Sequence, residues 1–289
     1  MGRPRGSRNK STLQKMGLLA PKPLPDVDMR TDDQIVTDLV ERFNVYQRLM
    51  RAVVEPELVT SVVVSGSAGV GKSYTAEEAL TQAKEKKNTQ YAIIRGAVSP
   101  IGLYLTAYRM REAGRVILMD DADRIFDDDE GLNILKSLLD TTVSRKVSWV
   151  TDSHALKQED VPQEFEFRGS MVFLSNRNFQ DYIDAKVGKF WEHMEALMSR
   201  SIYLDLRMHT RREVALWVKY LVQKKQILES PRIGLTSFQA DDALHWVLSH
   251  RDRLRELSLR TPIKVATFMK MEPKQWERMA EVALLRKAD

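Results

Sequence analysis

The chain of 289 residues is 43% hydrophobic and 29% charged and contains no cysteine. This is an ordinary globular composition, and it excludes disulfides, thiolate catalysis and cysteine-ligated zinc or iron–sulfur centres. No apolar run nears the ~18 residues of a membrane span, and Leu18, Leu19 and Ala20 do not make a secretory signal, so no membrane partner and a cytoplasmic location are expected. Of the net charge of +5, residues 1–25 supply Arg3, Arg5, Arg8, Lys10, Lys15 and Lys22 and no acid, leaving the remainder at −1. A basic arm on a near-neutral body points to an anionic partner.

Residues 1–30 read as a disordered basic arm ending in the spacer PKPLP. From Asp32 the pattern changes: Ile35, Leu39, Phe43, Tyr46 and Leu49 recur at helical spacing, predicting a helix to about Val54. The β-branched run VTSVVVS suits a strand buried on both faces, and YAII, VILM and MVFLS follow as further short apolar runs. Helical stretches separate the first three, which predicts an α/β domain over residues 31–206 with a mainly parallel sheet.

Beyond Leu206 the strand-like runs stop. Thr210 to Glu213 fits a capping box, with Val214, Trp217, Val218 and Leu221 on one helical face; Thr236 to Gln239 fits another. Thr261-Pro262 reads as a cap and first turn, and Glu272-Pro273 as the start of a last helix. Residues 207–289 are therefore expected to form a small all-α domain of four helices.

The segment GSAGVGKS (Gly66, Ser67, Ala68, Gly69, Val70, Gly71, Lys72 and Ser73) matches G-x-x-x-x-G-K-[ST], with a buried strand before it and a helical stretch from Tyr74 to Ala83 behind it. That context is what phosphate binding requires. Glycines let backbone N–H groups wrap the phosphates, and the helix N-terminus adds partial positive charge. Lys72 would reach the β/γ-phosphates, the Ser73 hydroxyl would ligate Mg²⁺, and Tyr74 completes the nucleotide-contacting set.

The run RVILMDDAD, Arg115 to Asp123, is an apolar strand ending in acids, the expected Walker B partner. Asp120 would hold Mg²⁺ and Asp121 would orient or polarise the attacking water. Asp127, Asp128, Asp129 and Glu130 fit a helix start instead. His154, His193, His209, His245 and His250 show no metal-ligand spacing, and the absence of an N-K-x-D segment favours ATP over GTP.

With these motifs in order, residues 32–289 resemble the AAA+ ATPases. MVFLSN looks like the strand that ends in the sensor-1 residue, here Asn176, whose amide would contact the γ-phosphate or the lytic water. ALMSRSIYLDL looks like the arginine-finger segment, with Arg200 reaching a neighbouring subunit's nucleotide. LSLRTPIK looks like the sensor-2 segment, with Arg260 as the nucleotide contact and Lys264 as the fallback. The chain has Asp121 where most members have Glu, and the shorter acid would sit further from the water. The resemblance implies a P-loop sheet followed by a helical lid, with ATP and Mg²⁺ as ligands. It also implies a homo-oligomer, a ring or a spiral.

Residues 147–169 form an insertion in which Val147 and Trp149 alternate, as do Phe165 and Phe167. This predicts a hairpin or a pair of extended segments, with His154 and Lys157 near the tip, either pointing into a pore or covering the sheet edge. In the arm, GRPRGS at Gly2 to Ser7 resembles an AT-hook core: Arg3 and Arg5 would enter an A·T minor groove, while Arg8 and Lys10 contact phosphates. Non-specific nucleic-acid binding remains the other reading of the arm.

The whole resembles ATPases encoded by phages and mobile elements, acting on DNA in replication, transposition or packaging. Two alternatives stand beside it: a remodeller of a protein partner, and an ATP-gated DNA-binding scaffold with weak hydrolysis.

Overall fold

The computed structural model describes residues 29–287, apart from Val143, Asp152 and residues 187–189. The basic arm, with Arg3, Arg5, Arg8 and Lys10, lies outside the described residues. Contacts group the chain into two compact units, each discontinuous in sequence.

The first unit spans residues 47–65 and 75–205 and is α/β, the fold class expected. Its five-stranded sheet contains β1 (Ser61–Ser65), β2 (Tyr91–Arg95), β3 (Val116–Asp120), β6 (Ser170–Ser175) and β7 (Ile202–Asp205). The order is β2-β3-β6-β1-β7, and every pairing is parallel. The three inner strands are buried throughout, which is why they read as continuous apolar runs rather than alternating ones. The edge strand β2 is only half-buried. The helix expected from Tyr74 runs as α2 (Lys72–Lys87), starting inside the glycine motif.

Helices α3 (Pro100–Arg109) and α4 (Asp129–Leu138) pack on the sheet through Leu103, Tyr104, Leu132 and Leu135, against Ile117, Met119 and Phe173. Asp128, Asp129 and Glu130 open α4 as expected, with Asp128 as the N-cap accepting from Gly131 N, whereas Asp127 ends the preceding 3-10 turn (Asp123–Asp127). Two short helices, α6 (Phe179–Ala185) and α7 (Phe190–Met198), lead to β7.

The insertion forms a hairpin-like pair, β4 (Lys146–Ser148) and β5 (Glu164–Glu166), antiparallel with Val147 opposite Phe165. Between them, α5 (His154–Gln158) carries His154 and Lys157, both exposed. The pair is docked through its apolar face: Val147, Leu156, Phe165 and Phe167 join the sheet core. Tyr104 donates to Pro162 O (2.9 Å), and burial, helped by Glu164, pushes its phenol up to about 12. A buried guanidinium locks the base: Arg145 donates to Leu138 O and Gly169 O and lies 5.1 Å from the centre of the Phe167 ring. Burial holds its pKa below the ordinary value.

The second unit spans, among the described residues, 29–46, 66–74 and 206–287. Its described helices are the first half of α1 (Asp32–Ala52), then α8 (Arg211–Gln223), α9 (Ser237–Ser249), α10 (Arg260–Met271) and α11 (Trp276–Leu284). Val218, Val222, Leu244, Val247, Val265 and Ala266 form its core. Both expected capping boxes, Thr210 with Glu213 and Thr236 with Gln239, are present. A third, not recognised in the sequence, joins Thr31 and Gln34.

Two helix starts differ from expectation. Helix α10 begins at Arg260, and Thr261 does not cap it, because its hydroxyl donates to Glu256 O and accepts from Ser258 N. Helix α11 begins at Trp276 rather than at Glu272-Pro273, because residues 272–275 close a turn through Gln275 N to Glu272 O.

Gly169 sits under Met110 O, where an added Cβ would lie 2.4 Å from that carbonyl. Gly169→Ala should therefore destabilise the chain by about 2 kcal/mol through backbone displacement. Thermal or urea unfolding checks this, with an unchanged midpoint as the contrary result.

Candidate functional site

The glycine motif forms a loop between β1 and α2 in which Gly69 (φ +73°) and Gly71 (φ +107°) take left-handed conformations. Glycine reaches this region at no steric cost, which is why the motif needs it at these positions. The loop's carbonyls are held by donors from within the second unit. Leu259 N–H donates to Gly69 O (3.0 Å), Trp217 Nε1–H to Val70 O (3.1 Å), and the Tyr46 hydroxyl to Lys72 O (2.7 Å). No peptide bond among the described residues is cis, and in a trans peptide the N–H opposes the C=O. The N–H groups of Val70 and Gly71 therefore point away from those donors, as an anion-binding loop requires. The Lys72 side chain is buried at 7% exposure, and its ammonium donates to Gly66 O (2.7 Å) and Ser67 O (3.1 Å). Tyr74 is exposed.

Aromatic packing supports these braces. Phe43 of α1 stacks on Trp217 of α8 with ring centroids 4.2 Å apart, a contact of about 1 kcal/mol beyond area burial. Arg260 lies beside the loop: an added Cβ on Gly69 would meet Ser258 at 2.9 Å and Arg260 Cγ at 3.6 Å. The turn before Arg260 is held by Ser258 Oγ donating to Glu256 Oε1 (2.7 Å), with Lys264 on the other oxygen. The Ser258 bond first, and Lys264 after it, keep the Glu256 carboxyl below its ordinary value. Lys264, the fallback for Arg260, is thus engaged with Glu256.

In the first unit, the carboxyl-terminal ends of β3 and β6 bring Asp120, Asp121 and Asn176 together. Asp120 is buried and Asp121 exposed. Asp121 is left-handed (φ +53°), its N–H donates to Leu174 O (3.1 Å), and Asn176 Nδ2 donates to its Oδ1 (2.8 Å). A left-handed residue other than glycine costs of order 1 kcal/mol, and such strain clusters at functional sites.

A network not anticipated from the sequence flanks Asn176 on both sides. Ser175 Oγ donates to Asp123 Oδ2 (2.9 Å) and accepts from Arg177 N (3.0 Å), while the Arg177 guanidinium pairs with Asp123 and Asp127. Burial raises the Asp123 pKa against the opposing pull of Ser175 and Arg177. Arg95 was also missed. It stands opposite Asp120 in register, 3.5 Å from its carboxylate, and pairs with Glu77. Its only sequence signal is its place at the end of an edge strand.

Arg200 follows α7 in the turn to β7, half-buried, and its guanidinium donates to Ala196 O (2.8 Å).

The donor chemistry suits the expected ligands. The loop offers N–H groups and an ammonium for phosphate. The Ser73 hydroxyl and the Asp120 carboxylate are the hard oxygen donors Mg²⁺ prefers. No group of three or more His, Cys, Asp or Glu able to hold a metal occurs among the described residues. No helix among the described residues is long and apolar enough to cross a membrane.

Fold and loop together define an α/β protein with a parallel sheet and a glycine-rich turn leaving its first strand. The chain is 35% identical over 248 residues to the uncharacterized 36.7 kDa protein of the nrdC–mobD intergenic region of Enterobacteria phage T4, covering 86% of this chain and 75% of that one; it belongs to that protein's family. No family model matches.

Among solved structures, AMPPCP-bound DnaA from Aquifex aeolicus is 11% identical with a TM-score of 0.45, covering 83% of this chain and 64% of that one. The Aeropyrum pernix Orc1 protein in complex with DNA is 13% identical with a TM-score of 0.44, covering 92% and 68%. Drosophila ORC bound to DNA is 15% identical with a TM-score of 0.39, covering 80% and 62%. The chain thus spans less than two thirds of the DnaA and Drosophila chains.

Trp217→Phe should keep the stack on Phe43 but remove the donor to Val70 O. The expected cost is about 1 kcal/mol, read as a lower urea midpoint with an unchanged slope; an unchanged midpoint speaks against the brace. Glu256, with its pKa lowered in the folded chain, contributes fully above its unfolded value, and that contribution is lost as pH falls through the lowered one. Wild type and Glu256→Gln should therefore differ in melting temperature at neutral pH and converge in acid, as thermal scans across pH would record.

Proposed function

We propose that this chain is a Mg²⁺-dependent ATPase of the AAA+ type that works on DNA as a homo-oligomer. The observation that carries the reading is the loop at residues 66–73, with its carbonyls tied back and its lysine buried at its base. The N–H groups of Gly69, Val70 and Gly71 and the Lys72 ammonium hold the triphosphate, with Gly66, Ser67, Ala68 and Tyr74 completing the contacts. Ser73 and Asp120 supply oxygens to Mg²⁺, which when bound neutralises charge on the phosphates. Asp121 and Asn176 orient the attacking water, whose proton passes toward the Asp121 carboxylate. Arg200 stabilises the transition state in a neighbouring subunit's pocket, and Arg260 contacts the nucleotide from the helical lid. The domains are an arm (1–30), a nucleotide-binding region (31–206) and a lid (207–289), and Arg3, Arg5, Arg8 and Lys10 contact DNA.

A second reading is favoured by the Asn176–Asp121 bond of 2.8 Å. A short acid already engaged by the sensor amide polarises water poorly, which suits an ATP-gated DNA-binding scaffold with slow turnover.

The test is ATP turnover against protein concentration, with and without DNA. Specific activity should rise with concentration and with DNA. Lys72→Ala should lose ATP binding. Arg200→Ala should bind ATP but lose about 10³-fold in turnover, and mixing the two variants should restore some activity. Tight ATP binding by Lys72→Ala refutes the loop assignment; tight ATP-dependent DNA binding with negligible turnover selects the scaffold.

A further inference from the structure

The near-neutral body conceals two opposite charges. Residues 206–289 hold seventeen Lys and Arg against ten Asp and Glu, a net of +7, whereas residues 26–205 carry −8. Part of the positive excess converges on one feature of the second unit, a cavity of about 440 Å³ lined by Arg211, Arg212, Lys219 and Arg251, with Asp32 and Asp252 as its acids. Arg211 and Arg212 stand in the first turn of α8, and Lys219 lies two turns further on. Ala215 between them is small enough to leave the space open. Arg251, just past the end of α9, comes from a separate part of the chain.

Three of the four cations already have partners at the cavity wall. Arg211 donates to Arg251 O and to Leu254 O, and Arg212 is held by Asp32. Arg251 meets Asp252 at 3.6 Å with both side chains largely exposed, so that pair costs little to open. Lys219 is exposed. Two arginines in a helix's first turn oppose the helix dipole, and the capping box there uses Glu213 and Thr210 only. An anion in the cavity would offset that cost.

We propose that this cavity binds backbone phosphates of a nucleic acid, giving the chain a DNA contact on its helical region, separate from the basic arm. The proposal rests on the DNA-acting reading above. Three of its four cations are arginines, whose planar forks match phosphate oxygens. From Arg211 to Lys219 the helix rises about 12 Å, enough to engage more than one phosphate. Polypeptide hot spots are dominated by aromatic anchors and arginine; no aromatic residue lines the cavity, whose apolar lining is Ala215, Leu216 and Leu248.

The test uses the full chain and its Lys219→Glu/Arg251→Glu variant, both positions being exposed. Fluorescence anisotropy gives the affinity for labelled single- and double-stranded DNA across a salt series. A chain lacking residues 1–24 is the parallel arm. The variant should bind at least tenfold more weakly at 0.1 M salt, and its log K against log[salt] slope should be shallower by about 2, with the arm intact. Unchanged affinity and slope overturn the cavity while leaving DNA binding through the arm standing. A wild-type chain that binds no DNA overturns both. Displacement by polyglutamate as effective as by DNA of equal charge overturns the nucleic-acid assignment.

Discussion

Three backbone carbonyls of the glycine motif are held by donors from distant parts of the chain. The Gly69, Val70 and Lys72 carbonyls accept from Leu259, Trp217 and Tyr46, residues far apart in sequence. Peptide geometry does the rest: a carbonyl tied outward leaves the opposing N–H free to face an anion. The left-handed glycines make the path possible, and the braces make it single. The aromatic stack of Phe43 on Trp217 and the turn at Ser258 both serve that arrangement. A loop of this kind would otherwise sample many conformations and lose ordering entropy on binding.

The acidic end of the sheet follows a different logic. Because β6 pairs with β3, Asn176 is brought to Asp121 by strand register. The residues on either side of Asn176 are fastened to Asp123 and Asp127, so its position is set by a small network with a half-buried carboxylate at its centre. Arg95 adds a cation beside Asp120. Any ion held by Asp120 would have to share that carboxylate with it, an electrostatic competition that a carboxylate standing alone would not face.

The charge distribution sets the partner question. An acidic α/β region and a basic helical region cancel in the total, so the overall charge understates the field each presents. The insertion packs onto the α/β core through its apolar face. Its aromatic residues are consumed by the core, and Arg145 pins its base.

Much of the fold was legible because period and composition are local properties. Fully buried strands had to be apolar runs, the capping boxes are four-residue signals, and G-x-x-x-x-G-K-S contains its own reason for glycine. Helix starts at Thr261 and Glu272 were misread because a side chain that could cap was engaged elsewhere or a turn intervened. By itself the sequence determined the glycine-rich loop after the first strand, the parallel α/β class and the two acids at the end of β3, since each depends on neighbours a few residues away. Only tertiary structure decided that Trp217, Tyr46 and Leu259 hold the loop, that Asp123 ties the neighbours of Asn176, and that Arg211 and Arg251 share a cavity. Those pairings join residues dozens of positions apart, and no local pattern encodes which distant donor meets which carbonyl.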